Sequence, residues 1–376
     1  MIDLSESRKE IDEIDRQLVE LFERRMKVSA DVAEYKKRTG MPVLDQGRER
    51  AKLQTLGAMA SNDFNRHGIE ELFTQIMSMS RKLQYARLHA SFGEKFRKVD
   101  SLQKKDARII FFGEKGSYSE QAMKEYFGED AAGEPSASFR EVMAKVKSGE
   151  ADYGVLPIEN TTTGGITDIY DLLTEFNHYI VGEHVVKIEH CLLGLPGAEL
   201  SSVRTVYSHA QGIMQCGAFL RKHPGIRTVE AMSTSGCAKK VHEDGDRSQA
   251  AIAGRRAGEL YGLVPLAEGI QDNDKNSTRF IIISGRREYT KDANKVSISF
   301  TLPHESGTLY NMLSHIIYNN LNMTKIESRP LAGRPFEYRF FVDFEGNLED
   351  PGVVNTLNGI QAEALDLTIF GNYKTV

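Results

Sequence analysis

From Ser7 to Lys37 the chain has no glycine or proline, and only Gly40-Met41-Pro42 stops the run. Such a stretch predicts one helix about 46 Å long at ~1.5 Å per residue. Ile11, Ile14, Leu18, Leu21, Val28, Val32 and Tyr35 recur in steps of three and four or their sums, as one apolar stripe. Arg25 falls on that line where Leu or Val belongs. A guanidinium keeps its charge, and burying it unpaired costs several kcal/mol. A small anionic ligand, or a carboxylate from another helix, must meet it. Only about 90 residues precede the next change of character, too few to cover the stripe, so dimerisation is expected. Arg8 and Lys36 share a phase but lie ~42 Å apart on a straight helix. An antiparallel partner would bring Arg8 of one chain toward Arg25 and Lys36 of the other.

Asp45 is expected to cap a second helix, with Arg48 and Glu49 in its first turn. A third helix is expected from about Ile69 to Leu88, with Ile69, Phe73, Ile76, Leu83 and Arg87 in register. Ser80 and Gln84 project from adjoining turns of its face.

Arg8, Arg25, Lys36, Asp45, Arg48, Glu49, Ser80 and Gln84 together resemble the site of the all-helical chorismate mutase family, with no departure at these positions. The resemblance covers about residues 5–88. It implies rearrangement of chorismate to prephenate without a covalent intermediate. Arg8, from the partner chain, and Arg25 would grip the dicarboxylate. Lys36 and Gln84 would donate to the breaking ether oxygen. Asp45 and Glu49 would hold the ring hydroxyl, and Ser80 would help seat a carboxylate.

With 376 residues, two or three domains are expected. Apolar residues make up 40% and charged residues 27%, an ordinary globular composition. The net charge of −5 argues against nucleic-acid binding, despite a basic patch at Lys95, Arg97, Lys98, Lys104 and Lys105. Cys191, Cys216 and Cys237 are odd in number and lack metal-ligand spacing. His184, His190 and Cys191 invite a metal reading, but they lie on strand-like sequence; no metal or cofactor is expected. No secretory or membrane-spanning segment is read, so a cytoplasmic enzyme is expected.

A linker is expected over 91–106. Beyond it short strands alternate with helices: strands at 152–158, 203–207, 227–232, 249–253 and 279–284, helices at 118–127, 138–148, 165–176, 210–222 and 235–243. This is α/β alternation. Ligands in such folds bind at the carboxyl ends of strands. Polar clusters fall there: Glu159-Asn160-Thr161-Thr162-Thr163, Ser208-His209 and Ser233-Thr234-Ser235. Each precedes a helix, as a plain cap or as an anion cradle.

GEKGSYSEQA at 113–122, LPIENTTTGGITDIYDLL at 156–173, SHAQGIMQC at 208–216, STSGCA at 233–238 and NSTRF at 276–280 resemble prephenate dehydratases. The implied domain, 107–286, is a two-lobed α/β unit like a periplasmic binding protein, with residues from about 183 to 270 as the inserted lobe. It implies loss of water and carbon dioxide from prephenate, giving phenylpyruvate, with Thr278 catalytic. Glu159, Asn160, Thr161, Ser208, His209 and Gln215 would join it in substrate binding. Ala210 stands where the family often has Pro, Thr161 where it often has Ser, and Tyr118 where it often has Phe.

Residues 294–376 read as βαββαβ, a ferredoxin-like α+β plan, and resemble the ACT regulatory domain. Glu327-Ser328-Arg329-Pro330 matches its ESRP motif, and Gly307-Thr308-Leu309 stands where Gly-Ala-Leu is common. The resemblance implies a phenylalanine effector site at these residues. The chain then reads as a mutase domain over 1–90, a dehydratase and an ACT domain, acting on chorismate and prephenate as a homodimer or higher homo-oligomer under phenylalanine feedback. An arogenate-preferring dehydratase and a phenylalanine sensor without chemistry are the alternatives.

Overall fold

The computed structural model describes residues 3–87, 95–231 and 233–375. The expected helix end at Leu88 and the first residues of the linker, 91–94, lie outside them. The described chain divides into two compact units: residues 1–95 with 299–368, and residues 96–298 with 369–376.

In the first unit three helices form the N-terminal bundle: α1 (Leu4–Thr39), α2 (Gln46–Gly57) and α3 (Asp63–Arg87). Asp3 caps α1 and Gly40 ends it in a left-handed conformation. The Asp45 side chain accepts from the Arg48 N–H, as its spacing predicts. α3 starts six residues before Ile69, because Asp63 and Phe64 already open its first turn. The apolar stripe of α1 is bare: Ile11, Ile14, Leu18, Leu21 and Val28 are each about half exposed or more.

Helices Thr308–Tyr318 and Pro351–Glu363 pack on each other, and the second packs on α3. α3 is therefore covered on more than its apolar line. Met77, Ser78, Ser80, Arg81, Lys82, Gln84 and Tyr85 are all buried. The C-terminal elements run strand Lys295–Thr301, helix, strands Met323–Pro330 and Tyr338–Glu345, helix, strand Asp366–Tyr373. Counted from its own first strand, this sheet has the order 2-3-1-4. Glu327–Pro330, the ESRP motif, ends an edge strand in antiparallel register with Tyr338–Phe341. Edge placement leaves one side of that backbone open to further pairing.

The second unit holds a two-stranded parallel sheet, Arg97–Val99 with Glu288–Thr290, whose first strand falls inside the expected linker, and two large sheets. Strands Ile109–Phe112, Gly133–Ser136, Tyr153–Asn160, Tyr179–Lys187 and Ser277–Ser284 belong to one, whose core includes Phe111, Val155, Phe280 and Ile282. His190–Gly194, Thr205–Ser208, Arg227–Glu230, Gln249–Gly254 and Val264–Ala267 form the other. The first large sheet combines parallel pairing of 109–111 with 153–155 and antiparallel pairing of 278–283 with 154–160 and of 277–284 with 179–187. The helix expected over 210–222 is two short helices, Ala210–Gln215 and Gly217–Lys222, broken at Cys216. No helix among the described residues is long and apolar enough to cross a membrane.

Candidate active sites

Two groups of side chains carry chemistry, one in each unit. In the bundle, Arg25 on α1 points its Nη1 at the Ser80 hydroxyl of α3 and, at 3.4 Å, at the Ile76 carbonyl. Burial lowers the Arg25 pKa from its ordinary value, while Glu49 opposes that shift. Among the described residues no carboxylate is hydrogen-bonded to it, and the cation on the apolar stripe is met by neutral acceptors. Lys36 Nζ donates to the Val43 carbonyl at 2.7 Å. Its pKa is lowered, first by burial, with Asp45 pulling the other way. Gln84 is buried, and its Oε1 has no partner among the described residues. Arg8 is exposed on the first turns of α1.

Lys36, Asp45 and Arg48 line a cavity of about 1,100 Å³ that Tyr85, Asn358 and Gln361 also line. Glu49 is turned to Arg81, whose Nη1 reaches its Oε2 at 2.5 Å. Five of the eight residues expected here thus fall into two sets, Arg25 bonded to Ser80, and Lys36, Asp45 and Arg48 lining one cavity, while Glu49 is held by Arg81. Arg81 is a residue the periodicity does not single out.

The second site is a cleft of about 400 Å³ in the α/β unit. Asn160, at the carboxyl end of strand Tyr153–Asn160, faces Thr278 on the neighbouring strand, in register. Asn160 Nδ2 donates to Thr278 Oγ1 at 2.9 Å and to Asn276 Oδ1 at 2.9 Å. Its Oδ1 accepts from the backbone N–H groups of Thr162 and Thr163 at 2.9 and 3.2 Å. Those two donors fix which end of the amide is nitrogen. Thr278 therefore accepts from Asn160 and keeps its own proton to donate. His209 and Gln215 also line the cleft.

Three other expected residues do not line it. Ser208 is fully buried and donates to the Ile252 carbonyl at 2.8 Å, tying two strands. Glu159 pairs with Arg279 Nη2 at 2.9 Å, and Arg279 Nη1 also reaches Glu183 at 3.2 Å. Thr161 is exposed, and its Oγ1 accepts from the Ser277 N–H at 2.9 Å.

The cleft also has members the motif positions leave unassigned. His190 lies between Gln215 Oε1, 2.9 Å from its Nε2, and Tyr118 Oη, 3.1 Å from its Nδ1. Burial lowers its pKa, so it is neutral near pH 7. A proton on Nε2 then serves Gln215, while the Tyr118 hydroxyl beside Nδ1 donates to the Glu189 carbonyl at 2.8 Å. His184 binds Glu125 instead, at 2.6 Å, and burial raises the Cys191 thiol. The one sequence signal for His190 is a lone polar residue opening a fully buried strand.

The described lining contains no lysine or arginine. Donors come instead from helix starts. Ser117 caps helix Tyr118–Phe127 and Ser233 caps helix Thr234–Asp244. Ser235, 1% exposed, lines the cleft, and its Oγ has no partner among the described residues. A helix start with this hydroxyl suits an anion, and it shares the cleft with the Glu114 carboxylate. The arrangement can hold a carboxylate and offer a proton from Thr278 within the cleft.

Residues 109–288 match the prephenate dehydratase family, and residues 7–85 match chorismate mutase type II. A relative from Escherichia coli (strain K12), named bifunctional chorismate mutase/prephenate dehydratase, is 33% identical over 375 residues, covering 98% of this chain and 95% of its own. Among solved structures, prephenate dehydratase from Arthrobacter aurescens in complex with L-Phe aligns at a TM-score of 0.66 and 30% identity, over 71% of this chain and 89% of that one. GqqA, described as a novel type of quorum quenching acylase, aligns at 0.66 and 32%, over 71% of this chain and 98% of its own.

Proposed function

This chain belongs to the bifunctional chorismate mutase/prephenate dehydratases, with both activities on one polypeptide, and we propose which residues divide the work. In the bundle, Arg25 and Ser80 seat one carboxylate of chorismate, and Arg8 of a second copy seats the other. Lys36 and Gln84 donate to the ether oxygen as its bond to the ring breaks. Asp45, Arg48 and Glu49 bind around the ring, with Glu49 on its hydroxyl. Catalysis consists of folding the substrate and stabilising charge. The bare stripe of α1 and the exposed Arg8 favour a homodimer, since burying such a face is worth about 25 cal/mol per Å² of apolar surface.

In the dehydratase, the observation that carries the reading is the Asn160–Thr278 hydrogen bond. Asn160 fills the acceptor side of the threonine oxygen, so its proton is aimed outward. The ring hydroxyl of prephenate takes that proton and leaves as water. The electrons of the bond to the ring carboxylate move into the ring as carbon dioxide departs. Aromatisation drives the step, so a weak acid held in reach suffices. Solvent returns the proton to Thr278. The side-chain carboxylate of the substrate takes the N-terminus of helix Thr234–Asp244 with Ser235 Oγ. The two sheets, one within the other in sequence, support the two-lobed binding-protein plan.

The 2-3-1-4 sheet order with two packed helices supports a ferredoxin-like ACT domain. Its open edge strand supports pairing between copies, with phenylalanine bound near Gly307, Leu309 and Glu327–Pro330. One coupled assay tests the whole reading. Purified protein given chorismate should form prephenate and then phenylpyruvate, and phenylalanine should lower the second rate. Failure to consume chorismate, or accumulation of prephenate without phenylpyruvate, would refute the corresponding half.

A further inference from the structure

Two consecutive cations, Arg81 and Lys82, are 6% and 3% exposed on α3, beside the expected mutase residues Ser80 and Gln84. A helix buries such residues only against partners. Lys82 Nζ donates to Ser314 Oγ at 2.9 Å. Arg81 has two carboxylate partners on different elements. Its Nη1 holds Glu49 of α2 at 2.5 Å. Its Nε edge holds Glu363, the last residue of helix Pro351–Glu363, at 2.8 Å. Glu363 is itself enclosed: His315 Nε2 lies 3.2 Å away and Tyr85 Oη donates to it at 3.4 Å. The two carboxylates take different edges of one planar, five-donor group. With Glu363 on the Nε edge, the guanidinium plane is fixed and its far Nη1 can point only one way. That direction is Glu49. The same helix supplies Asn358 and Gln361 to the cavity lined by Lys36, Asp45 and Arg48.

We propose that Arg81 is a positioning residue for the chorismate rearrangement, aiming the Glu49 carboxylate at the substrate's ring hydroxyl, and that Glu363 of the C-terminal helix holds Arg81 in place for it. The inference rests on the assignment of Glu49 to that hydroxyl. It makes the C-terminal helix part of the mutase's supporting structure and not only of a regulatory module.

The test uses the full chain, with prephenate turnover as a check on the α/β unit and thermal melting as a check on the unit that holds α3. Arg81→Met should lower mutase kcat about 10- to 100-fold, the range expected for neighbours coupled in one hydrogen-bond network, while prephenate turnover stays within about twofold of the parent. Arg81→Lys keeps the charge but cannot serve both edges at once, so it should recover only part of the loss. Arg81→Met strips the buried Glu363 of its guanidinium partner, so it also destabilises. The Arg81→Met/Glu363→Leu double variant replaces the buried pair by apolar groups and should regain thermal stability while mutase kcat stays low. Recovery of mutase kcat together with stability would overturn the proposal, because Arg81 would then be structural only. Parent-like mutase kcat in folded Arg81→Met or Glu363→Gln would overturn it as well. Glu49→Gln separates the two readings. If it leaves the mutase unchanged, the role of Glu49 itself fails. If it impairs the mutase while the Arg81 variants do not, only the positioning claim fails.

Discussion

Asn160 Nδ2 lies 2.9 Å from Thr278 Oγ1, and the Asn160 carbonyl is pinned by the Thr162 and Thr163 backbone N–H groups. Thr278 is thereby an acceptor toward the protein and a donor toward the cleft. Thr278→Val keeps the volume but removes the proton. It should lower dehydratase kcat by about 10²–10⁴, the range for a positioned general acid, with a much smaller change in KM. Thr278→Ser should retain more activity. Asn160→Asp should also be slow, because a carboxylate would accept the threonine proton and turn it away from the cleft. Phenylpyruvate formation measures each, and parent-like turnover by Thr278→Val would remove Thr278 from the mechanism.

Lys36 offers a separate handle on the first reaction. Lys36→Ala should nearly abolish chorismate conversion while prephenate turnover persists, since Thr278 and Asn160 lie in the other compact unit. Burial holds the Lys36 pKa below its ordinary value. The ammonium, which must be protonated to donate, is therefore lost at a lower pH than that of a free lysine. Mutase kcat should fall on the alkaline side below pH 10.5, and Lys36→Gln should be slow and lack that limb. Equal loss of both activities in a folded Lys36→Ala protein would count against two separate sites.

The bare α1 stripe predicts complementation. Arg8→Ala and Arg25→Ala homodimers should each be poor mutases. If Arg8 acts across the interface, a mixed dimer has one site with both lesions and one with neither. About half the parental activity per dimer is expected, on the order of one intact site in two. Verified heterodimers without recovery would place both residues in one chain's site.

How far the sequence reached depended on whether a signal was local. The long helix, the Asp45 cap and the helix at 118–127 follow from spacing and caps within one segment, and the structure places them within a turn of expectation. Asn160 and Thr278 are 118 residues apart and were linked by motif resemblance; only strand register shows that they touch. Ser208 has the composition of a cradle residue, yet its hydroxyl is spent on the Ile252 carbonyl, which no local pattern reveals. Arg81 was passed over because helical periodicity finds one apolar face. The second buried face of α3 packs against residues such as Ser314 and Glu363, more than 230 residues later.

Glu363 gives the first unit an acid limit. Burial alone would raise its pKa, but His315 and Arg81 more than reverse this and bring it to about 2. The unfolded carboxyl titrates near 4.3. A depressed folded value means stability that is full above the unfolded pKa and lost as pH falls toward the folded one. The contribution is on the order of 3 kcal/mol for a shift of about two units. Melting followed by circular dichroism should show the unit that contains α3 losing stability between about pH 5 and 2. A melting temperature flat across that window would show that the pair contributes nothing net.

Control by phenylalanine is best tested at Gly307. Deleting the C-terminal segment is not a clean experiment, because it strips Ser314 and Glu363 from α3 and removes residues 369–376 from the α/β unit. Gly307 caps helix Thr308–Tyr318 at φ +80°, and nothing lies within 4 Å of where a Cβ would be. A side chain there is not crowded in this chain. The cost is backbone strain, about 1–2 kcal/mol for a non-glycine residue in left-handed space and more for a β-branched one. Gly307→Val should therefore shift the helix start, and with it the expected effector contacts of Leu309. Inhibition must come from tighter binding to the less active arrangement. The variant should need at least about tenfold more phenylalanine for half-inhibition, the factor that 1.4 kcal/mol represents. Its rate without phenylalanine should stay near the parent's. Gly307→Ala, without β-branching, should fall between. An unchanged phenylalanine response in both variants would move the effector site away from this loop, most simply to competition in the Thr278 cleft, where inhibition should then weaken as prephenate is raised.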